Sequence, residues 1–172
     1  SAQVRTADPI ARGLHPTDFP RFIKLADNVY GYEEIRQPGF TTVSLVVIGK
    51  NGVLLADGQG SPAATQTLLD KIGTLTKLPV RWYVVGSDHG DHTGGNLDFP
   101  AEIRIIAHEN CAAEMRKMSH FLFGFRARGL PTETYGDRLS VFGDADGVEL
   151  YHFGPAHTIG DTFVVFPAAR VM

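Results

Sequence analysis

Three side chains able to bind a metal fall within one short loop: His89, Asp91 and His92, in the run Ser87-Asp88-His89-Gly90-Asp91-His92-Thr93-Gly94-Gly95. Imidazole nitrogen and carboxylate oxygen are ordinary Zn²⁺ ligands at about 2.0–2.2 Å. In extended chain adjacent side chains diverge and alternate ones point the same way. The loop can therefore serve two neighbouring ions, with His89 facing one and Asp91 and His92 the other. A second polar run, Gly154-Pro155-Ala156-His157-Thr158-Ile159-Gly160-Asp161, holds His157 between a Gly-Pro and a Gly-Asp turn. That tight mount makes His157 a natural further donor to the His89 ion.

Both runs need strands to carry them. Phe22–Leu25, Val29–Tyr32, Val43–Ile48 and Val53–Ala56 are short β-branched or aromatic runs. They are broken by Asp27-Asn28, Pro38-Gly39 and Asn51-Gly52. The Lys50-Asn51-Gly52 step predicts a hairpin, since Asn-Gly tolerates the positive φ of a type I′ turn. Ser61 caps a helix that Pro62 opens, with Ala64, Leu68, Ile72 and Leu75 at helical spacing. Val80–Val85 predicts the strand that delivers the His89 loop, and Ile103–Ala107 another, with a helix over Glu109–Met118. Val148–Phe153 and Thr162–Phe166 are strands on either side of His157. Hairpins followed by strand–helix–strand units predict an α/β (α+β) domain, a mixed sheet with helices on one face. Loops at one end of its strands carry the chemistry.

The two polar runs together resemble the metallo-β-lactamase superfamily. The signature loop of that superfamily reads His-x-His-x-Asp-His, and Ser87 to His92 matches three of its four ligand positions. Its next ligand histidine lies in a Gly-x-x-His-Thr-x-Gly-Asp context, which Gly154 to Asp161 follows. The resemblance runs from about Phe22 to the last residue and includes the Asp57-Gly58 step after a strand. It implies an αβ/βα sandwich of which this chain is the first half to two-thirds. It implies that His89 and His157 bind one zinc ion, that Asp91 and His92 bind a second, and that Asp91 orients or deprotonates the attacking water. Zn²⁺ lowers the pKa of bound water to about 7 and polarises a carbonyl or phosphoryl oxygen. The expected function is metal-dependent hydrolysis of a small molecule, a β-lactam or another ester, amide, thioester or phosphoester.

Ser87 departs from the pattern. It stands where the superfamily has its first histidine, and a neutral hydroxyl is a poorer zinc ligand than imidazole. Some lactamase branches replace this histidine with a polar residue and work mainly with the second metal. The remaining ligands of the pattern, a bridging Asp and a final His, fall beyond Met172, so the 172 residues alone are expected to be inactive. The other readings are a non-catalytic scaffold with a degenerate metal site, and a thiol enzyme using Cys111 with His108. His89, Asp91 and His92 could also merely cap a helix, and His157 could merely brace a turn. Thr158 and Asp161 read as supports for His157, and His15, His120 and His152 as isolated. The aromatic run Phe121–Gly129 reads as packing or as a lid, and Tyr30–Phe40 as a border of the substrate cleft.

Bulk properties exclude other classes. A net charge of −3 and a pI near 6.1 give no footprint for nucleic acid. No apolar stretch approaches the roughly 20 residues that cross a bilayer. One cysteine excludes an internal disulfide framework. Residues 1–20, with Pro9, Gly13, Pro16 and Pro20, are expected to be a flexible lead-in to a domain over 21–172. The small residues Ser1-Ala2 would suit the position after a removed export signal, which points to a periplasmic or secreted protein and otherwise a cytoplasmic one. Arg170-Val171-Met172 reads as the start of a returning strand, hence as part of a longer domain.

Overall fold

The computed structural model describes residues 6–122, 127–142 and 147–172. Strands β1 (Arg21–Ala26), β2 (Val29–Gln37) and β3 (Phe40–Ile48) form an antiparallel meander. It reverses at Asn28 and Gly39, both in left-handed backbone with φ of 61° and 77°. β4 (Val53–Ala56) pairs antiparallel with β3. The hairpin expected at Asn51-Gly52 is present, but its type I′ turn is not: among the described residues neither Asn51 nor Gly52 has positive φ. The Gly49 N–H instead closes the loop on the Gly52 carbonyl at 2.9 Å. Space, rather than φ, demands glycine at 52, because a Cβ there would lie 2.7 Å from Arg81 Cδ and 3.0 Å from the Pro79 carbonyl.

Beyond β4 the sheet becomes parallel. Ser61 Oγ accepts the Ala64 N–H at 3.3 Å and starts α1 (Pro62–Leu75), which buries Thr65, Leu68 and Ile72. The chain returns as β5 (Val80–Val84), makes the single turn α2 (Gly90–Thr93), and continues through β6 (Arg104–His108), α3 (Glu109–Leu122) and β7 (Glu133–Tyr135). β4 to β7 pair in parallel, giving a seven-stranded mixed sheet in the order β1 to β7. β8 (Arg138–Val141), β9 (Val148–Tyr151) and β10 (Phe163–Val165) form a second, antiparallel sheet.

Alternation along the strands separates two cores. On one face Leu55, Tyr83 and Ile105 pack with Leu68 and Ile72 of α1 and Met115 of α3. On the other, Leu54, Val84 and Ile106 meet Val148 and Leu150 of the small sheet. The predicted α/β arrangement with helices on one face is therefore the observed one. Because β4, β5 and β6 run parallel, their C-terminal ends lie along one sheet edge. Asp57, the Ser87–His92 loop and His108 emerge there together.

The lead-in expected to be loose is fastened over part of its length. The Ala7 carbonyl accepts the Thr41 N–H at 3.0 Å, and Arg12 pairs with Glu33 at 2.5 Å. Glu33 is 1% exposed on β2 and also meets Arg21 at 2.9 Å and the Thr41 hydroxyl at 2.9 Å. Burial pushes its carboxyl up, but the bonds from Arg12, Thr41 and Arg21 outweigh it, and the net shift is below the usual 4.5. A carboxyl held low in the folded state stabilises above its unfolded pKa, and the contribution fades as pH falls through the folded value. Glu33→Gln is expected to cost about 2–3 kcal/mol at neutral pH. The gap from wild type should close as the pH is lowered below about 4.5, in urea melts run at both ends of that range. A gap independent of pH would show that the carboxylate charge is not what the two arginines hold.

Candidate metal centre

The loop after β5 dips inward before it surfaces. Ser87 and Asp88 are buried, and His89, exposed, is the residue before α2. Thr93 Oγ1 donates to the His89 carbonyl at 3.0 Å and holds the turn closed. Tyr83, fully buried on β5, donates its hydroxyl to the His92 carbonyl at 2.8 Å. Gly58 allows that approach: a Cβ there would stand 2.7 Å from both the His92 carbonyl and the Tyr83 hydroxyl.

Asp57, just past β4, spans the loop from below. Its Oδ1 accepts the Gly86 N–H at 2.7 Å and its Oδ2 lies 2.6 Å from His92 Nδ1. His92 Nε2 lies 3.1 Å from Asp91 Oδ2, which Arg36 of β2 also engages through Nη1. The result is a polar chain, Asp57–His92–Asp91–Arg36. The Asp57 hydrogen bond raises the His92 pKa, burial opposes it, and the charges of Asp57 and Asp91 add to the rise.

The second polar run arrives from the small sheet. Asp161 accepts the Thr158 N–H at 2.7 Å and the Thr158 hydroxyl at 2.6 Å. Burial works against its charge, but the two Thr158 bonds and the His157 N–H keep its carboxyl below the usual range. Both residues thus shape the turn that carries His157. Three contacts then pin this turn to the first loop and to α3. The Thr162 N–H donates to the Gly86 carbonyl at 3.1 Å. Asn110 Nδ2 donates to the Ile159 carbonyl at 3.1 Å. Gly160 sits against the start of α3 so closely that a Cβ would fall 2.2 Å from the Cys111 nitrogen.

These contacts bring the rings of His89 and His157 to 4.9 Å between centroids, inclined at 72°. An imidazole nitrogen at 2.0–2.1 Å from Zn²⁺ puts its ring centroid about 3.2 Å from the ion, so two imidazoles at a tetrahedral angle stand about 5 Å apart. The spacing fits a shared cation.

Solved structures share this fold. A metallo-β-lactamase from Pontibacter korlensis superposes with a TM-score of 0.72 at 22% identity, over 86% of this chain and 66% of that one. The FIM-1 metallo-β-lactamase from Pseudomonas aeruginosa, in a mono-zinc form, superposes with a TM-score of 0.68 at 18% identity, over 86% and 64%. The chain has the metallo-β-lactamase fold. A curated relative, the 2,4-dinitroanisole O-demethylase subunit alpha of Nocardioides sp. (strain JS1661), is 32% identical over 133 residues, 75% of this chain. The chain spans 39% of that relative's length. No family model matches it.

His89 and His157, paired on one ion by the sequence reading, lie side by side in this fold. Within its turn His157 gives its backbone N–H to Asp161, while its ring faces that of His89. No side chain caps α2, which removes the capping role considered for His89. Asp91 and His92 follow His89 on α2. Ser87 is 5% exposed, its hydroxyl 3.5 Å from the His89 N–H. Among the described residues no group of three or more His, Cys, Asp or Glu is gathered to hold one ion. The thiol reading fails: burial, with Asp88, Asp57 and Asp161 nearby, pushes the fully buried Cys111 up to about 12. A reactive thiol needs the opposite shift. His108 stacks instead on His152, with centroids 3.7 Å apart, so His152 is not isolated. Residues 123–126 of the aromatic run lie outside the described residues.

Asp57 and Arg36 are the site residues that sequence reasoning missed. The signal for Asp57 was an acid directly after a β-rich run, at the end of the strand beside β5. Asp57→Asn would present an amide N–H or force a flipped ring at His92 Nδ1. A fixed imidazole tautomer is worth 10–100-fold in metal affinity. Zinc competition against a chromophoric chelator is expected to show a loss of that size. Unchanged affinity would mean that His92 binds no metal.

Proposed function

We propose that the protein is a zinc-dependent hydrolase, with His89 and His157 holding one ion and Asp91 and His92 contributing to a second. The approach of the two unbonded imidazoles to 4.9 Å is the observation that carries this reading. Bound Zn²⁺ supplies hydroxide near neutral pH and polarises the bond to be cleaved. This chain's residues do the positioning. Asp57 fixes the His92 ring through Nδ1, and Gly86 fixes Asp57. Asp91, half-buried on the turn α2, accepts a proton from, or orients, the attacking water. The β2–β3 hairpin forms one wall of the cleft at Asp91, which supports the border role read from Tyr30–Phe40.

The substrate is a small molecule with an electrophilic carbonyl or phosphoryl centre. 2,4-Dinitroanisole joins the panel because the curated relative carries it in its name. Among the described residues no helix is long and apolar enough to cross a membrane.

The test is metal analysis of the purified protein followed by hydrolysis of β-lactam, lactone, thioester, phosphoester and aryl ether probes with and without chelator. One or two zinc ions per chain and activity abolished by the chelator support the proposal. Protein that stays metal-free in excess zinc overturns it in favour of a scaffold with a degenerate site, a reading that the buried Ser87 hydroxyl favours. Ser87→His separates the two further. It is expected to raise first-site affinity at least about tenfold, since it replaces a hydroxyl by a preferred ligand type.

A further inference from the structure

We propose that Arg36 selects the substrate, pairing with an anionic group that the substrate carries beside its scissile bond; this rests on the hydrolase reading above. A cleft of about 650 Å³ opens between the β2–β3 hairpin and the metal loop, with Glu34, Arg36, Thr42, Gln59, Gly60 and Asp91 among its walls. Arg36 is the one cation among its described lining residues. Its side chain is 44% exposed at the edge of Asp91, so a molecule that reaches α2 through this cleft passes the guanidinium.

Pairing with Asp91 does not exhaust the side chain. The same Asp91 oxygen also faces the His92 ring at 3.1 Å, so Arg36 shares that carboxylate with the imidazole. The contact of Arg36 with Asp91 uses Nη1, one N–H of the five that a guanidinium presents in a planar fork matched to carboxylate or a similar oxyanion. Glycines keep the approach open: Gly60, Gly90 and Gly94 line the same cleft without side chains. The other acid of the wall, Glu34, is turned to its own strand, where it accepts the Tyr32 hydroxyl at 3.0 Å. The ligand chemistry is therefore a small monoanion, a carboxylate above all, linked to an ester or a related electrophile.

The test uses 4-acetoxybenzoate and its neutral methyl ester, which share the acetyl ester bond and differ in charge. In the zinc-loaded protein kcat/KM should favour the anion. Arg36→Gln should reduce that preference by about tenfold, through KM, with Arg36→Lys retaining part of it, because the charge survives but the fork does not. Raising the salt concentration should shrink the preference in the wild type and leave the glutamine variant little changed. A second arm measures equilibrium binding of 4-hydroxybenzoate by calorimetry, with the same tenfold weakening expected in Arg36→Gln. This arm reads Arg36 even if neither ester is cleaved, so failure of the hydrolase reading and failure of the anion site are distinguishable. Equal ester preference in the wild type and Arg36→Gln overturns the proposal, as does binding of 4-hydroxybenzoate that is absent or indifferent to the substitution.

Discussion

Replacing His89 by alanine is expected to lower zinc affinity by more than about 100-fold, beyond what loss of a supporting residue costs, while the protein melts within about 0.5 kcal/mol of wild type. The second half of that expectation follows from exposure. His89 and His157 lie at the surface and their rings make no hydrogen bond to the described residues. Cutting either back removes only their mutual ring contact, so little stability is expected to be lost. His157→Ala should match His89→Ala in affinity. The double variant should be little worse than either single one, because residues that act as a unit are not additive. Zinc or Co²⁺ titration reads all three without a substrate. Affinity unchanged in both single variants would leave the 4.9 Å approach without a purpose.

Gly160→Ala should produce the opposite profile, a structural injury that reaches the centre from behind. Its Cβ would lie 2.2 Å from the Cys111 nitrogen and 2.7 Å from Cys111 Cα. Both obstacles are backbone at the start of α3, so neither can rotate away. The turn carrying His157 must lift, at a cost of about 1–3 kcal/mol if overpacking at this site behaves as in cores. Zinc affinity should fall with stability, whereas His89→Ala separates the two. Gly136→Ala is the control: nothing lies within 4 Å of its Cβ position, and its melting should barely move. Equal behaviour of the two alanine variants would mean that the loop is not seated on α3.

The candidate ligands were easier to read than the residues that hold them. His89, Asp91, His92 and His157 stand in compact motifs whose chemistry is written in residue type. Asp57 and Arg36 reach the same place from 35 and 55 residues away in sequence, and a contact at that separation leaves no local pattern. The sheet divides similarly. β4, β5 and α1 announce themselves by apolar runs and spacing. β7 and β8 were not foreseen, because Glu133–Tyr135 and Arg138–Val141 are short and half polar. Parallel pairing of Glu133 with Ile106, rather than intrinsic preference, makes β7 a strand. β2 and β3 also run further than their apolar stretches. Glu33 and Arg36 extend β2 because Arg12, Arg21 and Asp91 meet their charges.

The two imidazoles belong to different layers of the sandwich, one delivered by the large sheet and one by the small. A cation caught between them would rivet the layers together, and its binding energy would count toward their adhesion. The heat resistance of the protein would then follow free zinc, gaining about 2.7 kcal/mol at a hundredfold excess over Kd. Sliding of one layer against the other would open the centre before either layer unravelled.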